Sequence, residues 1–92
     1  MEEEYYITPT GAPIEYHAFT FEYISSLIDP IQYFFTLFDL LRYVDYFKEH
    51  EFDIPMIKRL EEDNIRSLPM NPDEQDDVLQ LGRLLRLHYI EP

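Results

Sequence analysis

Two Asx-Pro steps constrain the fold of this chain more than any other feature of its sequence. Asp29 precedes Pro30, and Asn71 precedes Pro72. Asp and Asn side chains cap the free N–H groups of a first helical turn, and proline suits the first helical position because it has no N–H to lose. In both cases Gln or Glu follows at the third helical position, as in a capping box. The sequence therefore predicts helices that begin at residues 30 and 72.

Further helices are predicted between and after these two starts. Apolar residues recur at helical spacing over residues 31–47, and two helices with a tight joint or one bent helix fit this pattern equally well. Asp53 is predicted to cap a short helix. The acids at residues 61–63 are predicted to open another short helix that stops at Pro69. With a last helix that runs to about Tyr89, the sequence predicts an all-α fold of about five helices.

The N-terminal segment has a different composition from the rest of the chain. Residues 1–25 hold five acids and neither Lys nor Arg. Residues 8–13 are typical of a turn or an extended stretch, and residues 16–24 fit a short strand and the start of a helix equally well. We therefore divide the chain into an irregular, acidic, aromatic arm over residues 1–25 and a helical domain over residues 26–92. The aromatic residues of the arm are expected to cover an apolar face of the helices.

The composition excludes several classes of protein. Hydrophobic residues make up 46% of the chain, with eight Tyr and seven Phe, so disorder throughout is excluded. The formal net charge of −12 disfavours binding to nucleic acids and to anionic membranes, and it favours basic partners. Because Cys is absent, disulfides and thiolate chemistry are excluded. Neither a signal peptide nor a membrane span is predicted, so we expect an intracellular protein, cytoplasmic or nuclear.

The sequence contains no recognisable catalytic or cofactor motif. Its three histidines, His17, His50 and His88, lie far apart without motif context, so we expect structural or surface roles for them. Adjacent carboxylates on a helix point in different directions, which favours helix-start charge over acid–base catalysis. No Gly-rich phosphate loop, calcium loop or HExxH motif is present. We therefore predict no enzyme activity, no catalytic residue, no metal and no cofactor.

A run of core positions from residue 40 onward has the spacing of a known family. Leu40, Tyr43 and Phe47 stand at i, i+3 and i+7. The positions that follow are Phe52-Asp53, Ile57, Leu60, Glu61-Glu62-Asp63-Asn64-Ile65 and Leu68-Pro69-Met70. This pattern resembles the sterile alpha motif (SAM) domain over roughly residues 26–89, although the chain has no Trp and carries Pro69 in place of the family's corner glycine. The resemblance implies a five-helix SAM-like bundle.

The resemblance also implies a function. SAM domains commonly associate head to tail, through a mid-domain face that is often acidic and a face at the start of the last helix that is often basic. Here both regions are acidic, so repulsion between like charges disfavours self-polymerisation. The resemblance thus implies a protein interaction module, an adaptor or scaffold in signalling or transcriptional regulation, that binds a SAM domain with a basic last-helix face or a similar basic surface. The predicted partner-binding residues are Glu49, Glu51, Phe52, Asp53, Met56, Glu61, Glu62 and Asp63.

Two other functions remain open on the sequence alone. A small acidic scaffold can mimic nucleic acid and occupy a basic site on an enzyme or a DNA-binding protein. The aromatic N-terminal arm can instead serve as a homodimerisation element. A purely structural role for the acids, which cap helices and maintain solubility, fits about as well as partner binding.

Overall fold

The computed structural model of the chain describes residues 4–92, and within them a two-stranded sheet precedes six α-helices. The strands are β1 (Tyr5–Ile7) and β2 (Pro13–Glu15). The helices are α1 (Phe21–Ser25), α2 (Pro30–Leu37), α3 (Val44–Glu49), α4 (Ile54–Arg59), α5 (Glu62–Arg66) and α6 (Pro72–His88). Short 3-10 helices occupy Tyr16–Phe19 and Leu41–Tyr43.

The sheet shows that the predicted all-α, five-helix fold is wrong. β1 and β2 pair antiparallel with Tyr6 opposite Ile14. Their turn is closed by the Thr8 N–H, which donates to the Ala12 carbonyl at 3.0 Å, and it places Gly11 at a φ of 90°, where glycine carries no steric penalty. Strands of three residues are too short to show an alternating pattern of hydrophobicity, so only the turn is visible in the sequence.

The arm was predicted to be irregular, but residues 4–25 form regular elements. Residues 1–3 of the arm lie outside the described part of the chain. After β2 comes a 3-10 turn, and then α1 begins because the Thr20 hydroxyl accepts the Tyr23 N–H at 3.3 Å. The segment covers α2 as expected. Phe19 stacks on Phe34 with ring centroids 5.4 Å apart, and Tyr23 contacts Tyr33 at 5.9 Å.

One hydrophobic core joins the N-terminal segment to the helices. Ile14, Ala18 and Phe19 lie buried in the same cluster as residues of α2, α3, α4 and α6. The longest helix, α6, packs against α4, α5 and the first 3-10 helix. Gly82 lies at the contact with α4, where a Cβ would meet the Ile57 carbonyl oxygen at 3.4 Å, an ordinary contact distance. No helix among residues 4–92 combines the length and the apolar character needed to cross a membrane.

The predicted helix starts are confirmed. The Asp29 carboxylate accepts the Gln32 N–H at 3.2 Å, and the Asp53 carboxylate accepts the Met56 N–H at 2.9 Å. Asn71 forms a full capping box with the glutamate three residues later. These local signals are strong because the capping side chain and the N–H group that it binds are only three residues apart.

The joint between α2 and α3 separates two helices, one of the two alternatives that the sequence left open. Asp39 adopts a φ of 58°, in the left-handed region. The next residue, Leu40, donates its N–H to the Phe35 carbonyl at 2.7 Å. This is a Schellman motif, which satisfies a free carbonyl at a helix end and turns the chain sharply. Glycine usually takes the left-handed position, so the aspartate hides this helix end from sequence analysis.

Candidate protein interaction surface

The eight predicted partner-binding residues lie around α4, and we call them together the mid-domain surface. Glu49, Glu51, Phe52 and Asp53 precede the helix, Met56 lies on it, and Glu61, Glu62 and Asp63 follow it. Six helical residues span about 9 Å, so the two acidic groups sit at the two ends of a short helix. Seven of the eight side chains are exposed, and Phe52 is half-buried.

Most carboxylates of the mid-domain surface have no cationic partner. Of its six acids, only Glu62 forms an ion pair within residues 4–92, at 3.6 Å from the Arg66 side chain. Asp53 uses one carboxylate oxygen to cap α4. The surface therefore presents negative charge that neighbouring side chains do not neutralise.

Glu51 has an unusual backbone conformation for a glutamate. Its φ of 60° places it in the left-handed region. It follows the end of α3 in a second Schellman motif, in which the Phe52 N–H donates to the Phe47 carbonyl at 2.9 Å. A residue with a Cβ pays about 1–2 kcal/mol for this conformation, and glycine avoids most of that cost. The folded chain is therefore less stable with glutamate at this position than it would be with glycine.

The two candidate apolar anchors differ in accessibility. Met56 is 39% exposed on the outer face of α4. Phe52 packs its ring against Phe47, with centroids 4.7 Å apart, and leaves only part of its surface to solvent. Met56 is therefore the more available of the two for contact with another molecule.

Glu91 neutralises the cations at the end of α4. Its carboxylate accepts a hydrogen bond from the Arg59 guanidinium at 2.8 Å and lies 3.6 Å from the Lys58 ammonium. Lys58 also lies over the Tyr89 ring, 5.5 Å from its centroid. Burial raises the pKa of Tyr89, and the carboxylates of Glu91 and Asp53 raise it further. Sequence analysis does not identify this cluster, because the pair that binds Arg59 to Glu91 spans 32 residues of the chain.

Arginine side chains neutralise part of the negative charge at the start of α6. Glu74 is 6% exposed and pairs with the Arg42 guanidinium. Its carboxylate also accepts the Tyr43 hydroxyl at 2.5 Å. Asp76 pairs with Arg66 at 2.7 Å. Two of the four early acids of α6 are thus compensated within the chain, whereas the acids of the mid-domain surface are mostly not.

A second acidic group remains at the start of α6. Burial raises the pKa of Asp77, and the carboxylates of Asp39, Asp76 and Asp73 raise it further, in that order. Asp39 belongs to this group because the left-handed turn after α2 brings it toward α6. No three carboxylate or imidazole groups among residues 4–92 are arranged to hold a metal ion.

Each of the three histidines has its own local contact in the fold. His88 packs beside Tyr16, with ring centroids 4.9 Å apart. His50 lies at the end of α3, with its Nδ1 2.9 Å from the Tyr46 carbonyl oxygen. His17 is exposed and pairs with a glutamate on β2. Each has a local contact that accounts for its position.

Comparison with protein-family models, with curated proteins and with solved structures finds no match for this chain.

Proposed function

We propose that this chain is a protein interaction module that binds a basic surface of another protein through its mid-domain surface. The main support for this proposal is that five of the six carboxylates of the mid-domain surface form no ion pair within residues 4–92. The SAM resemblance suggests the partner class, a SAM domain with a basic last-helix face. The role would be that of an adaptor or scaffold inside the cell, in the cytoplasm or the nucleus.

Charge and apolar contact have separate tasks in this proposal. The unpaired carboxylates at the two ends of α4 steer a basic partner toward the helix and speed the encounter. Met56, which lies between them and is 39% exposed, supplies an apolar centre that is shielded from water once the partner is bound. The carboxylates are therefore expected to set the association rate and the salt dependence, and Met56 the lifetime of the complex.

The backbone of Glu51 supports use of the surface in binding. A glutamate in the left-handed conformation costs stability that a glycine would restore. Strained residues of this kind concentrate at functional sites, where another requirement outweighs their cost. Contact between the Glu51 carboxylate and a cationic partner would be such a requirement.

A heterotypic partner fits better than a second copy in a head-to-tail arrangement. The start of α6 would be the opposite face of such a contact, and Arg42, which reaches it from the second 3-10 helix, is already paired with Glu74. Arg66 is likewise paired with Asp76. With those cations engaged, the start of α6 offers little attraction to the mid-domain surface of another copy.

Charge reversal with a matched control tests the proposal. The probe is a SAM domain that carries lysines at the start of its last helix, and its affinity is measured by titration calorimetry. The double variant Glu62→Lys/Asp63→Lys should weaken binding by at least about 100-fold, because two attractive contacts become repulsive. The control Glu22→Lys/Asp73→Lys makes the same change in net charge, also in first helical turns, but at residues outside the mid-domain surface.

Each outcome has a clear meaning. Loss of binding in the first double variant alone supports the mid-domain surface. Equal losses in both variants would mean that net charge, not this surface, determines binding, which would contradict the proposal. Failure of the probe to bind, together with tight binding to the basic groove of a nucleic-acid-binding protein, would favour the acidic mimic instead.

A further inference from the structure

The outer edge of β1 carries backbone groups that have no partner in the described part of the chain. The Thr8 N–H donates to the Ala12 carbonyl at 3.0 Å, and the Glu4 carbonyl accepts an N–H from the residue after β2 at 3.3 Å. Because bonded pairs alternate along an antiparallel ladder, the N–H and C=O groups of Tyr5 and Ile7 point away from β2. These four groups form no other backbone hydrogen bond in the described structure.

The two edges of the hairpin differ in how well they are protected. Pro13 stands at the outer edge of β2 and has no N–H, and proline is a common means of closing a sheet edge to further strands. β1 consists of Tyr-Tyr-Ile, residues that favour strands, without proline or lysine. The side chains of Tyr5 and Ile7 are exposed at 47% and 54%. The edge of β1 is therefore open to a further strand.

The charge around the hairpin favours a basic strand over a second copy of this chain. Residues 1–25 hold five acids and neither Lys nor Arg. Glu4 and Glu15 are exposed, and neither pairs with Lys or Arg within residues 4–92. Pairing of β1 between two copies would bring two such acidic segments together, which electrostatic repulsion opposes.

We propose that an extended, basic segment of another protein adds a third strand to the sheet along the edge of β1. In an antiparallel arrangement, one residue of this segment exchanges both backbone hydrogen bonds with Tyr5, and another does so with Ile7. Their side chains lie on the same exposed face as Tyr5 and Ile7, where β-branched residues pack well. Lys or Arg on either side then meet the acids of the hairpin. The hairpin shares no residue with the mid-domain surface, so this proposal is independent of the function proposed above.

Amide hydrogen exchange, followed by NMR on the isotope-labelled chain, tests the proposal. The probe is a blocked eight-residue peptide in which two lysines at each end flank alternating valine and threonine. A three-residue edge is far smaller than a stable interface of about 20–30 residues a side, so binding is weak and the peptide is added to about millimolar concentration. Exchange at Tyr5 and Ile7 should slow at least about tenfold. The same peptide N-methylated at its four central residues keeps its charge but cannot pair as a strand, so it should give no protection.

Two substitutions at equally exposed positions provide a matched control within the chain. Ile7 and Leu41 are each 54% exposed. Ile7→Lys should weaken binding of the peptide at least about fivefold, because it removes an apolar contact and repels the lysines. Leu41→Lys makes the same change in net charge outside the hairpin and should leave the affinity unchanged. Titration of the amide chemical shifts with the peptide measures both.

Protection by the unmethylated peptide alone, with weaker binding in Ile7→Lys alone, supports the proposal. Three results of the exchange experiment would overturn it: no protection by either peptide, equal protection by both, or amides of Tyr5 and Ile7 that are already protected in the dilute free chain. Protection that grows with the concentration of the chain alone would assign the edge to a second copy instead. Equal losses of affinity in the two variants would show that net charge, not the edge of β1, determines binding.

Discussion

Asp39 and Glu51 occupy the same structural position at the ends of two successive helices. Asp39 follows α2 with a φ of 58°, and Glu51 follows α3 with a φ of 60°. In each case the next residue is apolar and donates its N–H to a carbonyl five residues back, at 2.7 Å after α2 and 2.9 Å after α3. Both positions favour glycine, and both hold an acid.

Replacing either acid with glycine should stabilise the fold. Asp39→Gly and Glu51→Gly each remove the steric cost of a Cβ in the left-handed region, and we expect each to raise the free energy of unfolding by up to about 1 kcal/mol. For a domain of this size that gain raises Tm by about 4–8 °C. Thermal unfolding followed by circular dichroism measures the change. A lower Tm in either variant would contradict the Schellman assignment at that helix end.

The same two variants should differ in binding. Glu51 belongs to the mid-domain surface, and Asp39 belongs to the acidic group near Asp77. Glu51→Gly should therefore weaken affinity for the basic SAM probe several-fold while it raises stability. Asp39→Gly, which also removes one carboxylate from a left-handed position, should leave that affinity unchanged. Equal effects of the two variants on affinity would contradict a specific role for Glu51.

The hydrogen bond from the Tyr43 hydroxyl to the buried carboxylate of Glu74 should stabilise the fold. Tyr43→Phe deletes the hydroxyl that donates to Glu74 at 2.5 Å. Because a hydrogen bond to a charged group contributes about 1.5–3 kcal/mol, we expect a loss of about 2 kcal/mol in the free energy of unfolding. Denaturation in urea measures it. Tyr46→Phe is the control, since its hydroxyl has no hydrogen-bond partner within residues 4–92, and a comparable loss there would show that the Glu74 contact is not the cause.

Asp77 should make stability fall as pH rises. Its pKa is raised in the folded chain by burial and by three neighbouring carboxylates, so the folded state holds the proton more tightly than the unfolded state does. The destabilisation is absent below the unfolded pKa of about 3.9, grows as pH rises to the folded pKa, and persists at neutral pH.

Asp77→Asn should therefore stabilise the chain at pH 7 by less than about 1 kcal/mol, since solvent screens a half-buried group. The gain should vanish near pH 3. Urea denaturation at a series of pH values measures both effects, with Glu22→Gln as an exposed control. A gain that persists at pH 3 would mean that ionisation of Asp77 is not its source.

The sequence predicts helix starts well and helix ends poorly in this chain. Asp29, Asp53 and Asn71 were identified because each cap and the N–H group it binds are neighbours in sequence. The joint at Asp39 stays open between two helices and one bent helix in the sequence, because an aspartate stands where glycine usually marks a helix end. The hairpin was missed because each of its strands is only three residues long.

For the candidate surface, exposure was predictable and charge compensation was not. Acids placed at helix starts and in connections are exposed whatever the tertiary fold. Which of them are neutralised depends on pairs distant in sequence, such as Arg42 with Glu74 and Arg59 with Glu91. Only the folded structure distinguishes the five carboxylates around α4 that form no ion pair within residues 4–92 from Glu74 and Asp76, which are paired at the start of α6.

Titration with a basic peptide, followed residue by residue, shows which acidic surface of the chain binds positive charge. The isotope-labelled chain is titrated with an octalysine peptide, and the amide chemical shifts are recorded by NMR at low salt. We predict that the largest shifts fall on residues 49–63, around α4, with smaller ones over residues 72–77. Shifts that are largest at the start of α6, or that spread evenly over all the acidic segments, would contradict the assignment of the mid-domain surface.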